Sequence, residues 1–117
     1  MFRINKSRTV KWPVSITVAR SDGSGKVDKF RFYITVRLLA RQAAERIAEK
    51  LTPESAREVE RELFDRIEDW HDVADDEGSE LPYSRDNLES LLDAYPNAAT
   101  ALLNAIIGAS IGVEAKN

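Results

Sequence analysis

The sequence predicts an α+β fold, with an N-terminal β-hairpin packed on a bundle of about four helices in a single domain covering residues 1–117. Three observations predict it. Apolar residues alternate with period two as far as Leu38, the spacing then turns helical, and helix start signals recur at Thr52-Pro53, Ser84 and Pro96. The chain is long enough for one sizeable core and not for two. Its 43% hydrophobic and 32% charged composition is that of a globular protein rather than a disordered one. Residues 1–38 form the hairpin region and residues 39–117 the helical region.

In the first strand, Val10, Trp12, Val14, Ile16 and Val18 share one side, with Lys11, Ser15, Thr17 and Ala19 on the other. Pro13 cannot donate to a ladder, so this is an edge strand or bends there. Ser21-Asp22-Gly23-Ser24-Gly25 is turn chemistry. The second strand points Phe30, Phe32, Ile34, Val36 and Leu38 inward and Arg31, Tyr33, Thr35 and Arg37 outward. A lone hairpin is marginal. Five inward side chains, at about 1.5–3 kcal/mol each when fully buried, suffice to dock it on helices.

The first helix lines up Leu39 or Ala40 with Ala43, Ala44, Ile47, Ala48 and Leu51, with Arg41 and Glu45 as an i,i+4 pair. Thr52 caps a second helix, with Pro53 at its first position and Glu54 near the positive end of its dipole. Ala56, Val59, Leu63, Ile67 and Trp70 carry that helix to about residue 70. Asp75-Asp76-Glu77-Gly78 is an acidic turn, Leu81-Pro82-Tyr83 a stiff apolar bracket, and Ser84 the cap of a third helix. Leu88, Leu91, Leu92 and Tyr95 fall on one face of that helix. Pro96 opens the last helix, to about Ser110. Residues 98–113 are apolar almost all round, which marks a helix buried in its own protein or covered by a partner. Sixteen residues containing Asn104 and two glycines fall short of a bilayer span, so no membrane role is expected.

Charge is unevenly placed on a chain of net −3: residues 1–50 carry 12 Lys/Arg against 4 Asp/Glu, and residues 51–117 carry 5 against 16. Such a basic half can contact nucleic acid, or the two halves can attract each other within or between subunits, which allows a head-to-tail homo-oligomer. Alternation turns Phe30 and Phe32 into the core and leaves only Tyr33 for stacking. A small nucleic-acid-binding regulator using the basic hairpin is therefore the second reading, and no nucleic-acid partner is expected. The absence of cysteine excludes disulfides and thiolate metal sites and favours an intracellular protein. The opening MFRINKSRTVKW has no apolar h-region, so no signal peptide is expected.

Candidate chemistry is sparse. His71 is the only histidine; Asp72 beside it and Ser79 and Ser84 nearby do not make a triad, which requires convergence in space. If Gly78 were position six of a calcium loop, positions one and twelve would be Val73 and Ser84 rather than carboxylates. Gly23-Ser24-Gly25-Lys26 lacks the upstream glycine and following Ser/Thr of a phosphate loop. No catalytic residue, metal or cofactor is expected, and the protein is read as a non-enzyme.

Three blocks carry a resemblance. They are the Pro-Val strand, Asp-Gly turn and Phe-rich strand of residues 9–39; Trp70 and Val73 followed by Gly78, Leu81-Pro82-Tyr83-Ser84, Asn87-Leu88 and Leu91-Leu92; and the Pro-led aliphatic helix after Tyr95. Together they resemble the tail assembly chaperones of long-tailed bacteriophages, encoded just before the tape measure protein. His71 departs from that pattern, where a small residue is expected. The resemblance implies a phage or prophage protein of the bacterial host cytoplasm that coats the tape measure protein, keeps it soluble and helps bring in tail tube protein. It also implies a longer frameshifted form. Recognition would be helix-in-groove, on a groove of Leu88, Leu91, Leu92 and Tyr95 with Leu102, Leu103, Ile106 and Ile107. The same residues serve equally well as plain core.

Overall fold

The computed structural model describes residues 1–4, 8–50 and 52–112. The alternating segments form β1 (Thr9–Ala19) and β2 (Val27–Arg37), antiparallel, with Thr9 opposite Arg37 and Ala19 opposite Val27. Between them the Arg20 N–H donates to the Lys26 carbonyl at 2.9 Å and the Ser24 N–H to the Asp22 carboxylate at 3.0 Å. Gly23 and Gly25 hold φ of +79° and +72°, where a Cβ would be strained. Next come α1 (Arg41–Lys50) and α2 (Ala56–Phe64). Leu51, expected on the face of α1, lies outside the described residues. α2 starts later than Thr52-Pro53 signals, because Ser55 Oγ accepts from the Thr52 N–H at 3.1 Å and these residues form a separate turn.

The largest departure from the sequence reading follows. The second helix does not run to Trp70: residues 67–71 are β3 (Ile67–His71), the third strand of a sheet ordered β1-β2-β3. The register shifts between Thr35, opposite Asp69, and Val36, opposite Ile67, so Glu68 is an extra residue in the ladder. Such a bulge turns two residues three apart onto the same face. Ile67 and Trp70 are both buried, at 5% and 4% exposure, although strict alternation would set them on opposite faces. Spacing that looks like one helical turn is here a bulged strand. The helical region thus contributes a strand to the hairpin's sheet.

α3 (Arg85–Ala94) and α4 (Asn97–Ile111) complete the chain, giving a three-stranded antiparallel sheet with four helices, an α+β fold. α4 runs the length of the sheet's inner face. At its start Asn97 Nδ2 donates to the Thr17 carbonyl (2.8 Å), and near its end Ser110 Oγ accepts from the Leu39 N–H (3.0 Å). The core joins Val14, Ile16, Phe32, Ile34, Val36, Ile67 and Trp70 of the sheet to Val59, Leu63, Leu88, Leu102 and Ile106 of the helices. Among the described residues no polar or charged side chain is buried, so the side chains that fill the interior are apolar.

Candidate functional site

The chain after β3 is fixed first. Asp72 takes a left-handed φ of +65°, which Asp tolerates. The Asp75 carboxylate then accepts the N–H groups of Glu77 and Ser79 at 3.0 Å each, and Gly78 turns at φ +83°. The Leu81 N–H returns to the Val73 carbonyl at 2.8 Å. Trp70 Nε1 donates to the Leu81 carbonyl at 2.7 Å, and its ring meets Tyr83 edge-on at 5.3 Å. Burial, opposed by the charge of Arg85, raises the Tyr83 pKa above its ordinary value. Ser84 Oγ accepts the Asn87 N–H (3.0 Å) while Asn87 Nδ2 donates to the Pro82 carbonyl (2.8 Å), so α3 starts with its first turn satisfied. The structure therefore brings Trp70, Val73, Gly78, Leu81, Pro82, Tyr83, Ser84 and Asn87 into one joint that sets the direction of α3.

The eight residues expected to form a client groove separate. Leu88, Leu102 and Ile106 have no exposed surface, so no partner can reach them while the fold is intact. They pack the subunit's own core. Leu91, Leu92 and Leu103 are partly buried against the core, whereas Tyr95 and Ile107 stay 40% and 45% exposed.

The described residues form apolar hollows near each end of α4. Near its C-terminal end Leu39, Ala44, Ile47, Ala48, Leu63, Ile107 and Ile111 surround about 540 Å³, with Arg41 and Ser110 on the wall. Its depth comes from α1, which buries only Ile47 and presents Ala44 and Ala48 where larger side chains would fill the gap. Arg66 pins this end by donating from Nη1 to the Leu38 carbonyl at 3.0 Å. Burial, then the charge of Arg37, lowers the Arg66 pKa from its ordinary value. Ile111, 67% exposed, forms the outer lip.

The second hollow, about 350 Å³, lies beside the start of α4 and is lined by Ile16, Val18, Phe30, Phe32, Val73, Leu91 and Tyr95, with Asp72 and Arg31 at its edge. Phe30, expected inward, is 53% exposed. Alternation puts it on the inner face correctly, opposite Ile16, but α4 packs over β1 at this level, burying Ile16 to 7% exposure, and does not reach across to cover β2. Sequence reasoning missed Phe30 and Val18 as lining an accessible hollow; strand period alone carries no signal of how far the helical layer reaches.

Among the described residues no three His, Cys, Asp or Glu side chains converge as a metal site would require. His71 Nε2 lies 3.0 Å from Thr35 Oγ1 on the sheet's other face, away from both hollows. No helix among the described residues is long and apolar enough to cross a membrane.

Fold and site together define a small α+β protein whose accessible features are apolar hollows beside a long aliphatic helix. The YdaY prophage protein family matches residues 27–116, from the first residue of β2 past the end of α4. The chain belongs to that family, which sets it among phage and prophage proteins. No curated protein and no solved structure matches it.

Proposed function

We propose that this prophage-family protein is a non-enzymatic tail assembly chaperone, which binds the tape measure protein and keeps it soluble in the host cytoplasm while tail tube protein polymerises around it. The observation that carries the reading is the hollow beside the end of α4, where Ile107 and Ile111 stand 45% and 67% exposed beside a floor of Ile47, Leu63 and alanines. Large aliphatic side chains left open around a concave floor suit an amphipathic helix laid into a groove. The resemblance of the hairpin, the Trp70–Asn87 joint and the Pro-led helix to tail assembly chaperones supports this reading, as does the prophage family.

In this reading the client moves into the site by burying apolar area, not by chemistry.

Co-expression with a phage tape measure protein tests the proposal. Wild type is expected to hold that protein in the soluble fraction and to co-purify with it. The Ile107→Asp/Ile111→Asp variant is expected to lose both effects while its own thermal unfolding stays cooperative. Equal solubility of the client with and without the wild-type protein would refute the chaperone reading.

A further inference from the structure

The helices cover only one face of the sheet. Every buried sheet residue belongs to the inner face, and none of the outer-face residues of β1 and β2 is buried. That outer face carries Lys11, Lys29, Arg31 and Arg37, all exposed, against the carboxylates of Asp69 and, at the bulge, Glu68 of β3. None of the four cations joins an ion pair among the described residues. Of the ion pairs found there, only Arg46–Glu62 links the basic half of the chain to the acidic half. The basic excess is left facing solvent on a protein of net charge −3.

Tyr33 sits in the middle of this face, half-buried, with Lys11 Nζ over its ring at 5.0 Å and its strand neighbour across the ladder being His71. Lys29, Arg31, Tyr33 and Arg37 lie on the same side of one strand. Successive residues on that side are about 6.8 Å apart, and the row is about 27 Å long. The stride is about twice the 3.4 Å per nucleotide of a stacked strand. It therefore suits an extended chain of phosphates better than a duplex groove.

We propose that the uncovered sheet face is a binding site for single-stranded nucleic acid. Lys29, Arg31, Lys11 and Arg37 hold successive phosphates, and Tyr33 takes a base on the ring face that Lys11 covers in the free protein. A folded acidic partner is the weaker fit. Exposed ion pairs between folded surfaces contribute little each, whereas every phosphate neutralised on a polyanion releases condensed counterions. This site is on the outer face of the sheet, shares only Arg31 with the edge of the smaller hollow, and does not depend on the chaperone reading.

The test is fluorescence anisotropy of a labelled oligothymidylate of about twelve nucleotides, titrated with the full chain at several salt concentrations, with polyglutamate as a competitor. Four phosphate contacts predict a slope of log K against log salt near −2.8, made shallower by about 0.7 in Arg31→Gln. Tyr33→Ala is expected to bind roughly 5- to 150-fold more weakly, with Tyr33→Phe restoring affinity. If Tyr33→Ala does not fold, the wild-type slope and the Arg31→Gln comparison decide. Four results would each overturn the proposal. They are no binding, a slope unchanged by Arg31→Gln, displacement by polyglutamate as effective as by unlabelled oligothymidylate, and salt-sensitive self-association without oligonucleotide binding, which would assign the face to a second copy of this chain.

Discussion

Two aliphatic pairs on α4 have the same spacing and opposite fates. Leu102 and Ile106 have no exposed surface, whereas Ile107 and Ile111, also four residues apart, are 45% and 67% exposed. Helix geometry accounts for the difference. Ile106 and Ile107 are about 100° apart around the axis, so one row meets the sheet and the other turns toward α1. α1, buried through Ile47 alone, does not close over that second row. β2 repeats the contrast, with Phe32 at 6% exposure and Phe30 at 53% on the same face of one strand. Hydrophobicity sets which side chains avoid water on average, but the reach of the neighbouring element decides which ones do.

The largest effect is expected from a charge placed in the inner row. Ile106→Asp buries a carboxylate with no partner among apolar neighbours and is expected to abolish cooperative unfolding in circular dichroism. The milder Leu102→Ala should cost about 2–5 kcal/mol in urea denaturation, and Phe32→Ala about 3–5 kcal/mol. If Leu102→Ala proved nearly neutral, the inner row would not be core. Next in size is Trp70→Phe, which removes the hydrogen bond to the Leu81 carbonyl and leaves that acceptor unpaired. A loss of about 1–3 kcal/mol is expected. Ser84→Ala should cost about 1 kcal/mol through loss of the α3 cap.

The smallest effects on stability belong to the outer row. Ile107→Ser, Ile111→Ser and Phe30→Ser are each expected to shift unfolding by no more than about 0.5–1 kcal/mol. A larger loss from Ile111→Ser would mean that the outer row is buried in solution.

The same contrast explains what could be read from the sequence. Val14, Ile16, Phe32, Ile34 and Val36 were legible as inward because period two names a strand face without reference to the rest of the fold. The Ser84–Asn87 start of α3 was legible because a cap is local chemistry. β3 was not, since the bulge at Glu68 gives Ile67 and Trp70 the spacing of a helical turn. The exposed row of α4 was not either. Its apolar residues surround the helix, so no stripe distinguishes Ile106 from Ile107 until the sheet and α1 are in place.

If the groove beside α1 takes the client, methyl NMR of isoleucine-labelled protein titrated with a helical fragment of a tape measure protein is expected to show the signals of Ile47, Ile107 and Ile111 shifting together while those of Ile34 and Ile106 stay in place. Unmoved signals at Ile107 and Ile111 on saturation with the fragment, or shifts confined to Ile16 in the other hollow, would contradict it.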